Sequence, residues 1–383
     1  MGSFSKSKEI KVLLGDLLHS KAQTLVNTVN CVGVMGKGIA LEFKKRFPDM
    51  FEDYARRCER GEVRPGVPYL YRSVFPPQIV NFPTKDHWKS VSRIEDIERG
   101  LQVLVDRVRQ WEIASIAVPP LGCGNGQLEW RDVGPLMYRY LSTMNIPVEL
   151  YAPYGTPPKE LTKEFLSAPP LNVPSRAHST VATPGALNPA WVALVEIVRR
   201  LEAQPFCWPV GRVIFQKIAY VATREGLPTG LEYNEGSFGP FSSGLKTVQT
   251  RLVNDNLLQE ERLGRMFRVG VGPNYDRVRK EYEGALGRWS NIIEKTTDLF
   301  TRVDTNQAEI TATVLFAADK LKKRRKVTPL EGEVLGAVMD WKQKRKPPLS
   351  ETDLASAIRN LAMLHWLDVQ YDPKLAVPAE ELV

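Results

Sequence analysis

The sequence predicts an α/β domain, with helices on both faces of a sheet, followed by a second domain that is mainly α. Three observations carry this expectation. Through residue 152 short apolar runs alternate with amphipathic stretches, a proline-rich segment follows, and beyond it the apolar spacing is almost entirely helical. At 383 residues the chain also exceeds what one ordinary core organises, so two domains are expected from length alone.

The expected strands are IKVLL (Ile10 to Leu14), LVNTV (Leu25 to Val29), QIVNF (Gln78 to Phe82), IASIAV (Ile113 to Val118) and PVELYA (Pro147 to Ala152). Most are nearly continuous in apolar character, as strands covered on both faces are. Between them Ala40, Phe43 and Phe47 share one helical face, and Ile94, Ile97, Leu101, Leu104 and Val108 share another. A helix-sheet-helix sandwich of this kind binds its ligands at the carboxyl ends of its strands.

From Pro153 to Pro189 prolines recur among small polar residues, which reads as a partly extended linker. The expected division is a first domain over 1–154, a linker over 155–189 and a second domain over 190–383. In the last, Trp191, Leu194, Val195 and Val198 fall on one face, as do Ile214, Ile218 and Val221, and long amphipathic stretches run from Asp276 to Phe300 and from Gln307 to Leu321. Only RMFRVGV, Arg265 to Val271, alternates as a strand does. No internal repeat is visible.

Composition narrows the function classes. Hydrophobic residues make up 43% and charged residues 25%, the proportions of a soluble globular protein, and no apolar run approaches the ~20 residues of a membrane span. The amino end, MGSFSKSKEI, has neither an apolar core nor a cleavage site, and Lys6 stands where a myristoylation pattern needs Ser or Thr. A cytoplasmic protein with no membrane association is expected. Cys31, Cys58, Cys123 and Cys207 are scattered, and His19, His87, His178 and His365 show no metal-ligand spacing, so neither a disulfide framework nor a metal site is expected. No cofactor is expected either. The net charge of +8 admits a polyanionic partner. Two basic runs, KKRRK at Lys322 to Lys326 and KQKRK at Lys342 to Lys346, read either as solvated helix faces or as nucleic-acid contacts.

The stretch VNCVGVMGKGIALEFKKRFP, Val29 to Pro48, sets glycines and a lysine ahead of a helical run. It is not a P-loop, because Cys31 and Gly38 stand where that loop needs Gly and Ser or Thr, and the spacing of Gly33, Gly36 and Gly38 does not fit a dinucleotide fingerprint. What remains is the physics both share, a flexible backbone whose N–H groups can approach a phosphate at a helix start. A second loop, PPLGCGNGQLEW (Pro119 to Trp130), repeats that character with Gly122, Gly124 and Gly126. Two such loops at two strand ends can grip a pyrophosphate from both sides. Asp16, in LLGDLL, stands where a carboxylate could accept from an adenine amino group or cap a helix.

The order of GDLL, LVNTVN, GVMGKGIALEFKKRFP and GCGNGQLEW resembles a macrodomain, the ADP-ribose-binding fold, over about residues 8 to 154. MGKGIALEFKKRFP together with FPTK (Phe82 to Lys85) is similar to the branch that includes terminal ADP-ribose protein glycohydrolase and the DarG antitoxins; FGPFSSGLKTVQTRLVNDNLL (Phe238 to Leu258) resembles the carboxyl-terminal region of the latter more loosely. The resemblance implies a three-layer α/β/α fold with a mixed sheet. It implies that Asp16 and Leu17 meet the adenine and Tyr151 covers it, while Asn30 reaches the distal ribose. Met35, Gly36, Lys37, Gly38, Ile39 and Ala40, with Gly122, Cys123, Gly124, Asn125 and Gly126, would wrap the diphosphate and that ribose. Asn27 and Thr84 are further binding candidates, each with a bland alternative as a turn-forming residue.

In that branch the lysine matching Lys85 lies against the anomeric carbon and is required for removal of ADP-ribose. An amine nucleophile must be neutral, which burial favours and a neighbouring diphosphate opposes. The glycohydrolases place an acid two positions after the GCG, and here that position is Gly126. Either another group substitutes, with Asp86 and His87 nearest in sequence, or water attacks directly while Lys85 orients the site. Cys123 has no histidine near it in sequence to activate a thiolate.

For the whole chain the resemblance implies an antitoxin. Its macrodomain would hydrolyse ADP-ribose from thymidine bases of single-stranded DNA, and its helical domain would bind and block the cognate DarT toxin, the transferase that writes the mark. Acidic stretches such as NDNLLQEE (Asn254 to Glu261) and LEGEV (Leu330 to Val334) are candidates for the surface that meets the toxin. Two other readings stay open: a non-catalytic ADP-ribose reader, and a protein-directed de-ADP-ribosylase or deacylase whose helical domain binds nucleic acid.

Overall fold

The computed structural model describes residues 10–168, 187–205, 208–264 and 266–376. The chain forms two compact units, 1–186 and 187–383.

The first unit is built on a six-stranded sheet of β1 (Ile10–Leu13), β2 (Thr24–Val29), β3 (Tyr69–Tyr71), β4 (Gln78–Pro83), β5 (Ile116–Val118) and β6 (Val148–Tyr151), in the order β1-β6-β5-β2-β4-β3. All neighbours pair parallel except β3, which runs antiparallel to β4 at the edge. The sheet is therefore mixed. The five expected strands are present; the short β3, three residues of YLY without a buried face, gave no periodic signal.

Helices α1 (Gly38–Arg46) and α2 (Pro48–Glu59) cover one face, where Phe43, Met50 and Tyr54 pack on Leu25, Val29 and Ile79. On the other, α3 (Ile94–Arg107) and α4 (Trp130–Leu141) bury Ile97, Leu101, Leu104, Val133 and Leu136 against Val26, Val80 and Val118. Each β2 side chain alternates between these cores, which is why the strand has no polar face. The first unit also runs past its expected end. Pro158–Leu161 forms a 3-10 turn and α5 (Lys163–Ser167) follows, with Leu166 fully buried and the Glu160 carbonyl accepting from the Trp130 indole at 3.2 Å. The expected linker residues 169–186 lie outside the described ones.

The second unit is mainly α, as expected. It comprises α6 (Pro189–Glu202), α7 (Arg212–Arg224), α8 (Gly244–Asn254), α9 (Tyr275–Glu281), α10 (Glu283–Arg288), α11 (Ser290–Thr301), α12 (Thr305–Arg325), α13 (Glu331–Lys342) and α14 (Glu351–Met363). Two antiparallel hairpins accompany them, β7 (Asn234–Gly236) with β8 (Gly239–Phe241), and β9 (Leu258–Leu263) with β10 (Met266–Val271). The expected strand at 265–271 is β10, with Arg265 itself outside the described residues. Its partner β9, LQEERL, is mostly polar and reads as no strand on its own. The stretch from Asp276 to Phe300 is three helices rather than one, interrupted at Tyr282 and Trp289.

Two charge assignments change. In KQKRK, Lys342 is buried and pairs with Glu309 at 3.0 Å, and Arg345 reaches the same carboxylate at 3.2 Å. That run is partly an internal ion cluster, whereas Lys322 to Lys326 at the end of α12 are all exposed. In NDNLLQEE, Glu260 is nearly buried and held by Arg212 and by the Gln249 amide, while Glu261 remains 61% exposed at the side chain. Only part of that stretch is an acidic surface.

Candidate active site

Strands β2, β4 and β5 end side by side, and the loops that leave them converge. After β2 the chain turns on Asn30. Its Oδ1 accepts from the backbone N–H of Val32 at 2.9 Å and of Val34 at 3.4 Å, and its Nδ2 donates to the Val34 carbonyl. The Tyr54 hydroxyl, from α2, donates to Asn30 at 3.0 Å from both its backbone and side-chain oxygens. Tyr54 is fully buried, and burial pushes its phenol well above the ordinary range, so the hydroxyl stays a donor. The first loop is thus shaped by an asparagine locked from below.

That loop ends at α1. The cap residue Lys37 has extended backbone and provides no side-chain acceptor for the first-turn amides of Gly38, Ile39 and Ala40. A helix start left uncapped by side chains is suited to an anion. Gly38 has φ +59, and a Cβ there would lie 3.2 Å from Nδ2 of Asn125. The first loop therefore faces the second.

In the second loop each glycine answers a different demand. Gly122 has φ +75; nothing lies within 4 Å of a Cβ placed on Gly124, which leaves its backbone open to approach; and a Cβ on Gly126 would collide with Ser92 Oγ and sit 2.5 Å from the Gly122 carbonyl oxygen. Ser92 also donates its backbone N–H to the Gly126 carbonyl at 3.1 Å. The absence of an acid at 126 is thereby explained: the loop closes so tightly there that no side chain fits. Burial pushes the Cys123 thiol up to about 12, and it keeps no thiolate character at neutral pH.

Lys85 leaves β4, next to β2, and its segment bonds to both loops. It is 8% exposed, and its Nζ donates to the Asn125 carbonyl at 2.7 Å. Its own carbonyl accepts from Cys31 Sγ at 3.5 Å, and the Asp86 carbonyl accepts from Cys31 N–H at 2.8 Å. One segment thus ties both cradles together. Thr84, beside it, is buried and directs its N–H and hydroxyl to the Val29 carbonyl, at 3.0 and 3.5 Å, extending the β2–β4 ladder beyond the strands.

Toward the other edge of the sheet, just after β1, Asp16 caps the 3-10 turn Leu17–His19 by accepting from Leu18 N–H at 2.9 Å, and it is half exposed. Leu17 and Tyr151 belong to one buried cluster with Met35, and the Tyr151 hydroxyl donates to Glu149 at 3.1 Å. Asn27 is fully buried; its Nδ2 donates to Asn81 Oδ1 at 2.9 Å, and Asn81 in turn donates to the Tyr69 hydroxyl at 3.1 Å. Its amide is a cross-strand link beneath Met35 rather than a turn-forming group. Sequence reasoning missed Tyr54, Asn81 and Ser92. Only Tyr54 left a trace, as a polar-tipped residue on the apolar face of α2.

Among the described residues no group of three or more His, Cys, Asp or Glu could hold a metal ion, and no helix is long and apolar enough to cross a membrane.

A mixed sheet between two helical layers, with two glycine loops meeting at the strand ends, defines a macrodomain, and the Macro domain family profile matches residues 26–137. The chain is 36% identical to the DNA ADP-ribosyl glycohydrolase of Mycobacterium tuberculosis over 277 residues, 69% of this chain and 70% of that one. It is 38% identical to the DNA ADP-ribosyl glycohydrolase of Thermus aquaticus over 249 residues, 63% of this chain and 64% of that one. The chain belongs to the DNA ADP-ribosyl glycohydrolase family. A third relative, from Thermosipho africanus, is a DNA ADP-ribosyl transferase-DNA ADP-ribosyl glycohydrolase fusion protein, 40% identical over 180 residues, 42% of this chain and 46% of that one. The matches thus span 64% and 70% of the first two relatives and less than half of the fusion.

Proposed function

We propose that the first unit removes ADP-ribose from thymidine bases of single-stranded DNA, and that the second binds and blocks the DarT transferase that attaches it. The observation that carries the enzymatic half is the placement of Lys85, a nearly buried amine joined to the second glycine loop and fixed beside the first. The diphosphate would lie between the start of α1 and the open backbone at Gly124, with the adenine toward Asp16, Leu17 and Tyr151. This directs the distal ribose to Asn30 and Lys85.

The reaction breaks the bond between the ribose anomeric carbon and the base nitrogen. Since no side chain fits at Gly126, direct attack by water is preferred to a lysine adduct that would need an acid there for its resolution. Water adds its oxygen to the anomeric carbon through an oxocarbenium-like state, its proton passes to the departing base, and the Lys85 amine stabilises the negative charge that develops on that base. Free ADP-ribose and repaired DNA are the products.

Lys85→Ala, assayed on an oligonucleotide carrying ADP-ribosylated thymidine, tests this. Turnover should fall at least ~100-fold, the usual loss on removing a positioned proton-transfer or charge-stabilising group, with ADP-ribose still bound. Retained turnover would remove Lys85 from the chemistry. A non-catalytic reader is the second reading, favoured by the missing acid alone; it predicts no release of free ADP-ribose by the unaltered protein.

The partner half is supported by the transferase-glycohydrolase fusion in Thermosipho africanus, which joins writer and eraser in one chain. Glu261 is the better probe of the acidic surface, since reversing Glu260 would strand Arg212 inside the unit. Unchanged transferase binding by Glu261→Lys together with Asp255→Lys would dismiss that patch.

A further inference from the structure

We infer that Trp88, with His87 and Lys89 beside it, is a stacking platform for a base that flanks the modified nucleotide in a single strand. The inference deepens the function proposed above and rests on its reading that Lys85 marks the reacting end of the cleft.

Position comes first. The chain leaves β4 at Lys85, is anchored to the first loop through Asp86, and then turns tightly, with Lys89 N–H donating to His87 Nδ1 at 3.1 Å and Ser90 N–H to the His87 carbonyl at 2.9 Å. Trp88 follows Lys85 by three residues, so their α carbons are within about 11 Å even if the chain is extended. Phe75, which is also exposed, lies in the loop joining β3 to β4 at the opposite end of the sheet.

Exposure comes second. Trp88 is 47% exposed, whereas Phe43, Tyr54, Phe82 and Trp130 of the same unit are buried. About half of the indole is open to solvent, and a base stacks on it by displacing the Lys89 ammonium that stands over the ring, which frees that ammonium for a phosphate.

Chemistry is the third element. The His87 and Trp88 rings have centroids 5.3 Å apart with 30° between their planes, and Lys89 Nζ lies 4.8 Å from the Trp88 centroid. An aromatic pair beside an ammonium matches a base and its phosphate at once, the combination by which single strands are held without regard to sequence. A protein or lipid partner would call for apolar neighbours, yet the residues around Trp88 in the chain are Lys85, Asp86, His87, Lys89 and Ser90. Bases within a duplex are already stacked on one another, so the platform selects single strands.

The test compares Trp88→Ala and Trp88→Phe with the unaltered protein on two substrates, ADP-ribosylated thymidine as a lone nucleoside and the same nucleoside within a 12-residue oligonucleotide. Trp88→Ala should lower kcat/KM on the oligonucleotide roughly tenfold or more and leave the nucleoside unaffected, with Trp88→Phe restoring most of the loss. Equal loss on both substrates would mark Trp88 as merely structural, and loss on neither would overturn the proposal. If the unaltered protein turns over neither substrate, the proposed function fails by itself. Anisotropy of a labelled, unmodified single strand then decides the platform: Trp88→Ala must bind it about tenfold more weakly, and a duplex of the same sequence must bind no better to the unaltered protein.

Discussion

Lys85 Nζ donates to the backbone carbonyl of Asn125 at 2.7 Å, so the amine proposed to face the scissile bond also holds the second glycine loop in place. Lys85→Ala should therefore loosen that loop as well as slow the reaction. Amide hydrogen exchange over residues 123–127 is expected to accelerate roughly fivefold or more, equivalent to about 1 kcal/mol of lost local protection, while α3 and α4 exchange as before. Unchanged exchange would show that the hydrogen bond is incidental to the loop.

Restoring an acid to the second loop should harm rather than help. Gly126→Asp places a Cβ against Ser92 Oγ and the Gly122 carbonyl, and overpacking of this kind costs about 1–3 kcal/mol, with the buried carboxylate adding to it. The variant should unfold at a lower denaturant midpoint and turn over more slowly. Faster hydrolysis by Gly126→Asp would refute the account of why glycine stands there.

Gly38→Val combines a backbone at φ +59 with a side chain driven toward Asn125. The expected outcome is at least tenfold weaker ADP-ribose binding in calorimetry, since the helix start can no longer approach a diphosphate, with a stability loss of about 1–2 kcal/mol.

Tyr54→Phe removes a buried donor from Asn30 and leaves a phenyl ring of the same shape. A loss of about 1–2 kcal/mol in ADP-ribose affinity is expected, with the fold intact by circular dichroism. Affinity equal to that of the unaltered protein would mean that the first loop keeps its shape without the hydroxyl.

In the second unit Glu196 gives a pH dependence. Burial alone would raise its pKa, but Arg199, the Tyr275 hydroxyl and Arg200 bond its carboxylate and lower it from 4.5 to about 2. A folded pKa below the unfolded one contributes stability that is complete above about 4.5 and disappears as pH falls toward 2. The contribution is on the order of 3 kcal/mol, and Glu196→Gln should flatten the acid limb of the denaturation curve of a fragment beginning at residue 187.

Much of the first unit was legible because its strands are apolar on both faces and its helices have strong period. The two cradles were legible because glycine spacing after a strand is a backbone demand written directly in the sequence. What escaped depended on contacts distant in sequence. Ser92 matters only because it packs against Gly126, and Tyr54 only because its hydroxyl reaches Asn30 across 24 residues. In the second unit β9 was hidden because its charged side chains face outward or pair, as Glu260 does with Arg212. The burial of Lys342 was equally invisible, since a lysine in a basic run shows nothing of the Glu309 partner 33 residues away.

The amide pair Asn27–Asn81, continued by Tyr69, has a consequence for accuracy of assembly. Parallel strands made almost wholly of Leu, Ile and Val could slide past one another at little cost, but a shift of one residue here would leave two amides stranded among aliphatic side chains. Because Lys85 emerges only four positions beyond Asn81, the same shift would turn its amine to the far side of the sheet. An interior hydrogen bond that contacts no ligand thus works as an alignment pin for the cleft above it.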